Sequence, residues 1–257
     1  MVFTGRFLLL WLCCLFCSIP VMANEDVKDE KVIKTDEVIM IEEFKEKTAE
    51  SKPQRVELIM ILDESGSMYK LVSDTIGGFN SMIDKQRKSG IPSQVTTVLF
   101  NEKTDILYLQ KPLDEIPELT NNEYSPERST ALLDAVGNTI RTVDGFKGIS
   151  DKGTQVMVVI ITDGMENSSR EYSYALVKNL ISERQDKNGW KFIFLGANID
   201  APRVAQDLGI DPDHAVKYKN TSSGVKANFD AVAKYAKSVA DGEEDPQEWK
   251  DLVEKDE

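Results

Sequence analysis

Two apolar runs of this chain stop abruptly at oxygen-bearing residues. Ile59-Met60-Ile61-Leu62 runs into Asp63-Glu64-Ser65-Gly66-Ser67, and 156–161 runs into Thr162-Asp163-Gly164. A run with no polar alternation reads as a strand buried on both faces, the habit of parallel sheets covered by helices. Weaker strand patterns occupy 94–100, 105–110, 190–195 and 215–218, with the first strand running over 56–62. Only Asn101 to Thr104 separate 94–100 from 105–110, so those two make an antiparallel hairpin.

Between the strands the apolar spacing becomes helical. Leu71, Ile76, Phe79, Met82 and Ile83 mark a helix over 69–88, closed by Gly90 and Pro92. Leu132, Leu133, Val136 and Ile140 form the stripe of a second helix, which Ser129 or Thr130 could cap. Further helices are predicted over 172–185, around 204–208 and over 222–239. Strand and helix alternating at this spacing mean an α/β protein, a parallel sheet with helices on both faces. Residues 111–128, with their prolines and paired asparagines, form a loop of the length that usually carries function.

The two ends of the chain differ from this pattern. Arg6 precedes an apolar block over 7–16, and Val21-Met22-Ala23 offers small residues where a signal peptidase would read. The block is short for a span of ~20 residues, so 1–23 is expected to be a cleaved signal peptide, with export to a periplasmic or extracellular space and no membrane insertion afterwards. Cys13, Cys14 and Cys17 all lie within it, which leaves a mature chain without disulfides. Residues 24–54 are dominated by Asp, Glu and Lys and read as a solvated linker. The globular domain is expected over 55–240, and 241–257 reads as an acidic, frayed tail with an isolated Trp249.

The charge narrows the partners. Asp and Glu number 44 against 31 Lys and Arg, a formal charge of −13, so nucleic acid and anionic membranes are poor general partners. Metal ions and cationic groups fit better. Asp63, Ser65 and Ser67 after the first strand, Thr130 at a helix start and Asp163 after the 156–161 strand leave the same edge of the sheet. In open α/β sheets ligands bind in the crevice beyond the carboxyl ends of the strands. Carboxylates and hydroxyls with no His or Cys select a hard cation: Mg²⁺, Ca²⁺ or Mn²⁺. Five protein groups do not fill an octahedron, so an acidic group from a partner is expected to complete the sphere.

These residues carry a resemblance. Asp63-Glu64-Ser65-Gly66-Ser67, Thr130 with Leu132 and Asp134 beyond it, and Thr162-Asp163-Gly164 resemble the metal-ion-dependent adhesion site of von Willebrand factor type A domains, over about 56–239. The resemblance implies a Rossmann-like doubly wound fold, mostly parallel with one antiparallel edge strand, and cation-dependent binding of protein ligands. It implies that Ser65, Ser67 and Thr130 touch the metal directly, and Asp63 and Asp163 directly or through water. Arg128 and Ser129 stand where many members carry a glycine ahead of the threonine. There Arg128 could crowd the second loop or set a cation beside the site.

Competing readings are weaker. Asp63, Ser65 and Ser67 could each cap a helix, Asp134 reads as a first-turn acid, and Glu166, Asn167 and Asn198 as turn residues. Catalysis is not expected. His214 lies on polar ground in Asp-Pro-Asp-His, Ser65 stands where an aspartyl phosphohydrolase wants a second acid, and neither phosphate-binding glycine motif is present. An exported adhesion or binding module is the leading function, and a subunit or assembly factor of a larger envelope complex is the alternative.

Overall fold

A computed structural model describes residues 52–243 and 245–254, all within one compact unit. The expected signal peptide and nearly all of the expected linker lie outside the described residues. Residues 52–54 already touch the domain: Lys52 pairs with Asp241 at 3.1 Å, and the Gln54 N–H donates to the Gly153 carbonyl at 2.7 Å.

Six strands form one sheet: β1 (Arg55–Asp63), β2 (Ser93–Phe100), β3 (Thr104–Pro112), β4 (Thr154–Thr162), β5 (Lys191–Ala197) and β6 (Ala215–Tyr218). Their order is β3-β2-β1-β4-β5-β6, with β3 antiparallel to β2 and every other pair parallel. The apolar runs thus lie at the centre, Ile61 opposite Val98 on one side and Ile160 on the other. Successive side chains of a strand point to opposite faces. Leu58, Met60 and Leu62 therefore join one core layer with Phe79 and Phe229, while Ile59 and Ile61 join another with Val136, Ile140 and Phe194. Burying each such side chain is worth about 1.5–3 kcal/mol.

Helices α1 (Val72–Ser89) and α5 (Ser222–Ala240) cover the first face; α2 (Leu132–Asp144), α3 (Tyr174–Asn188) and α4 (Ala201–Leu208) cover the second. Helices α1 and α5 approach closely because residue 78 is glycine. A Cβ there would sit 2.3 Å from the Phe229 ring. The sequence pattern places most elements within a few residues, and local capping explains the shifts. The predicted 69–88 helix is preceded by a 3₁₀ turn over Gly66–Leu71, so its α-helical part starts at Val72. Helix α4 starts earlier than predicted, because Asp200 caps the Arg203 N–H and Pro202 occupies the first turn.

The end of the chain corrects an expectation. The described part of the expected tail, up to Glu254, is not frayed: Trp249 and Val253 are buried in the α1/α5 layer, with the Trp249 ring 5.6 Å from that of Tyr235, and α6 (Asp251–Glu254) follows. The acidic composition hid the two apolar anchors. Among the described residues no helix is long and apolar enough to cross a membrane.

Because Trp249 fills a core position, Trp249→Ala should lower the unfolding free energy by about 3–5 kcal/mol in urea denaturation. A loss below about 1 kcal/mol would mean that this segment does not dock in solution.

Candidate metal centre

From β1 the chain moves outward to β2 and β3, then returns to place β4 on the other side of β1. The strand order reverses there, and the crevice at such a switch point lies beyond the carboxyl ends of β1 and β4. Asp63 is the last residue of β1, and Asp163 follows the last residue of β4. Both carboxylates are buried, at 1% and 2% exposure.

The five predicted donors meet here. Asp63 Oδ1 accepts the Ser65 N–H at 2.7 Å, and Asp63 Oδ2 accepts the Thr162 hydroxyl at 2.5 Å. The Ser67 hydroxyl donates to Asp163 Oδ1 and lies 3.0 Å from that of Ser65. A methyl group added at Gly164 would lie 3.2 Å from Thr130 Oγ1, 3.6 Å from Ser67 Oγ and 4.0 Å from Asp63 Oδ2. Those three oxygens therefore ring one small space, which a side chain at 164 would fill. Among the described residues no three His, Cys, Asp or Glu side chains converge as a metal-binding group, so the donor set stands on two carboxylates and three hydroxyls.

Burial raises the pKa of Asp63; the Asp163 charge adds to this, while bonds from Thr162 and Ser65 oppose it. Burial likewise raises Asp163, against bonds from Ser67 and Asn220. Among the described residues no cation figures in the groups acting on either. Two buried carboxylates without a compensating charge are costly, and buried charges are normally paired or bound to metal. The residues present therefore fit a hard divalent cation.

Thr130 departs from the capping expectation. Helix α2 begins at Leu132 after Ala131, with no side-chain cap from its own strand of sequence. The caps arrive from the third loop: Glu166 accepts the Leu133 N–H at 3.0 Å, and the Ser169 hydroxyl accepts that of Asp134 at 3.1 Å. Asp134 returns the contact by accepting the N–H groups of Arg170, Glu171 and Tyr172 at 2.8–2.9 Å. Asn167 grips Thr130 from both sides, its Oδ1 accepting the Thr130 N–H at 2.9 Å and its N–H donating to the Thr130 carbonyl at 3.0 Å. The Thr130 hydroxyl is thus left to face the donor set.

Arg128 neither crowds the loop nor points a free charge at the site. Its guanidinium is engaged by Glu102 and Glu127, and its carbonyl accepts the Gly66 N–H at 3.0 Å. Its φ of 70° lies in the left-handed region, the conformation that glycine adopts without strain.

Three supporting residues escaped the sequence. Tyr124, buried in the 111–128 loop, donates its hydroxyl to the Asp63 carbonyl at 2.7 Å. Asn220, just before α5, donates to Asp163 Oδ2 at 3.0 Å. The buried Tyr218 hydroxyl has no hydrogen-bond partner; its pKa is raised well above the usual value, first by burial and then by Asp163 and Asp63. An aromatic residue in a polar loop was the available signal for Tyr124; Asn220 carried none.

No family model matches the sequence, and no curated protein does. Solved structures do. The pilus adhesin SpaC from Lactobacillus rhamnosus GG, in its open conformation, superposes with a TM-score of 0.56 at 12% identity, covering 74% of this chain and 31% of that one. Proximal thread matrix protein 1 of the mussel byssus gives 0.52 at 13%, over 73% and 47%. A von Willebrand factor type A structure from Catenulispora acidiphila gives 0.50 at 14%, over 73% and 43%. The chain spans less than half the length of each. At these identities the likeness is one of fold.

The raised carboxyl pKa values set a sign for pH dependence. A carboxyl whose pKa is raised by folding stabilises the fold fully below its unfolded value of about 4, and this contribution fades as pH rises through the folded value. In chelator, the contribution of these carboxyls should therefore grow as pH falls toward about 4, and Asp63→Asn should flatten that slope. An equal slope in parent and variant, followed by urea titration across this range, would show that Asp63 is not the source. Relief of left-handed strain at 128 offsets the loss of exposed ion pairs, so Arg128→Gly should leave the urea unfolding midpoint close to that of the parent. A larger loss in the same assay would show that the Glu102 and Glu127 contacts hold the loop.

Proposed function

We propose that this chain, whose fold is that of a von Willebrand factor type A domain, is a binding module that captures a protein ligand through a divalent cation. Asp63, Ser65, Ser67, Thr130 and Asp163 would hold the ion, with Mg²⁺ the first choice and Ca²⁺ or Mn²⁺ the alternatives. The observation that carries this reading is the meeting of two buried, uncompensated carboxylates with three hydroxyls at the switch point of the sheet. The bound ion would neutralise the buried carboxylates and offer an open position to an acidic side chain of the ligand.

The residues around the site fit binding better than turnover. A Ser-His hydrolytic pair wants a histidine beside the serines, whereas His214, the sole histidine of the chain, is engaged by Asp245 at 2.7 Å. The pilus adhesin among the structural neighbours supports a role in protein binding, and the apolar block at 7–16 supports export.

An ion that binds only the folded state stabilises it in proportion to the logarithm of its free concentration. Millimolar Mg²⁺ should raise the melting temperature of the parent protein by about 5 °C or more. Asp63→Asn should abolish the shift while melting no lower than the parent in chelator, since it removes a buried charge. A parent protein indifferent to Mg²⁺, Ca²⁺ and Mn²⁺ in the same melts would remove the basis for a metal-bridged ligand.

A further inference from the structure

Most large apolar side chains among the described residues are buried, and the two most exposed of the exceptions lie on the loops that carry the donors. Tyr69 is 74% exposed and Met165 is 69% exposed, more than any other large hydrophobic side chain described. Tyr69 stands two residues after Ser67, and Met165 two residues after Asp163. They therefore come from the two loops whose side chains meet when Ser67 donates to Asp163. Neither serves the core: Met68 and Leu71, the buried residues of the same 3₁₀ turn, already anchor it. The donors themselves are buried apart from Ser67, and the two loops that carry Ser67 and Asp163 are also the ones that carry these two exposed apolar side chains.

From this placement we infer that Tyr69 and Met165 are specificity residues, and that the partner presents an acidic residue flanked by apolar side chains in one extended segment. The inference rests on the metal-bridged reading above and adds what surrounds the acid. Charge complementarity favours this occupant. The site's open position calls for a carboxylate, while the neighbouring cation, Arg128, is already engaged by Glu102 and Glu127. Tyrosine and methionine are enriched at protein interfaces; the first supplies rigid area, and the second adapts its shape to what it meets. Their burial against flanking apolar residues supplies affinity that the carboxylate alone lacks.

Two synthetic peptides test this, one carrying Leu-Asp-Phe and the other Gly-Asp-Gly within the same glycine flanks. Titrated calorimetrically into the Mg²⁺-loaded protein, the apolar-flanked peptide should bind about tenfold more tightly. In a Tyr69→Ala/Met165→Ala variant the preference should fall to about twofold or less, while the Mg²⁺ melting shift stays at the parent value. Equal affinities, no binding of either peptide, or a preference that survives in the variant would overturn this assignment when the parent shows the Mg²⁺ shift. A parent protein without that shift would overturn the metal reading and this inference with it.

Discussion

The site is governed by one electrostatic constraint: two carboxylates held side by side in the interior, with no cation paired to either among the described residues. Asp63 and Asp163 are fixed where they are by β1 and β4, whose apolar runs leave almost no freedom at the centre of the sheet. Polar bonds from Ser65, Ser67, Thr162 and Asn220 lessen the cost of burying them, yet both keep raised pKa values. Two core layers flank this cluster and oppose its cost. On the proposed reading, a bound cation would turn this cost into a gain.

The loops answer the same constraint by holding one another. The second loop has no capping residue of its own and borrows Glu166 and Ser169 from the third, while Asp134 fastens the third loop in return. Asn167 fixes Thr130, and Tyr124 fixes the backbone of Asp63. Preorganisation of this kind keeps donors in place before any ligand arrives, so less ordering opposes binding. It also leaves the loop tips free to carry exposed residues such as Tyr69 and Met165.

Much of this was legible in the sequence, for identifiable reasons. Short apolar runs set between helical patterns read as covered central strands, so β1 and β4 and the acids at their ends could be read from the sequence. Asp63, Ser65, Ser67, Thr130 and Asp163 follow from that placement together with the family resemblance. Trp249 was misjudged because its acidic neighbours outweigh one buried ring in any local window. Asn220, Tyr124 and the reciprocal caps were hidden for another reason: their partners lie dozens of residues away, and nothing local distinguishes a turn asparagine from one that orients a carboxylate. Arg128 shows the limit of resemblance, since a left-handed backbone can persist where the family's glycine has gone.

The central claim concerns the location of an ion, and anomalous X-ray scattering from crystals grown with Mn²⁺ tests it most directly. The account predicts one strong anomalous peak within bonding distance of the Ser65, Ser67 and Thr130 hydroxyls, beside the carboxylates of Asp63 and Asp163. A peak at another group of acids, or none at this position in well-ordered density at millimolar Mn²⁺, would contradict it.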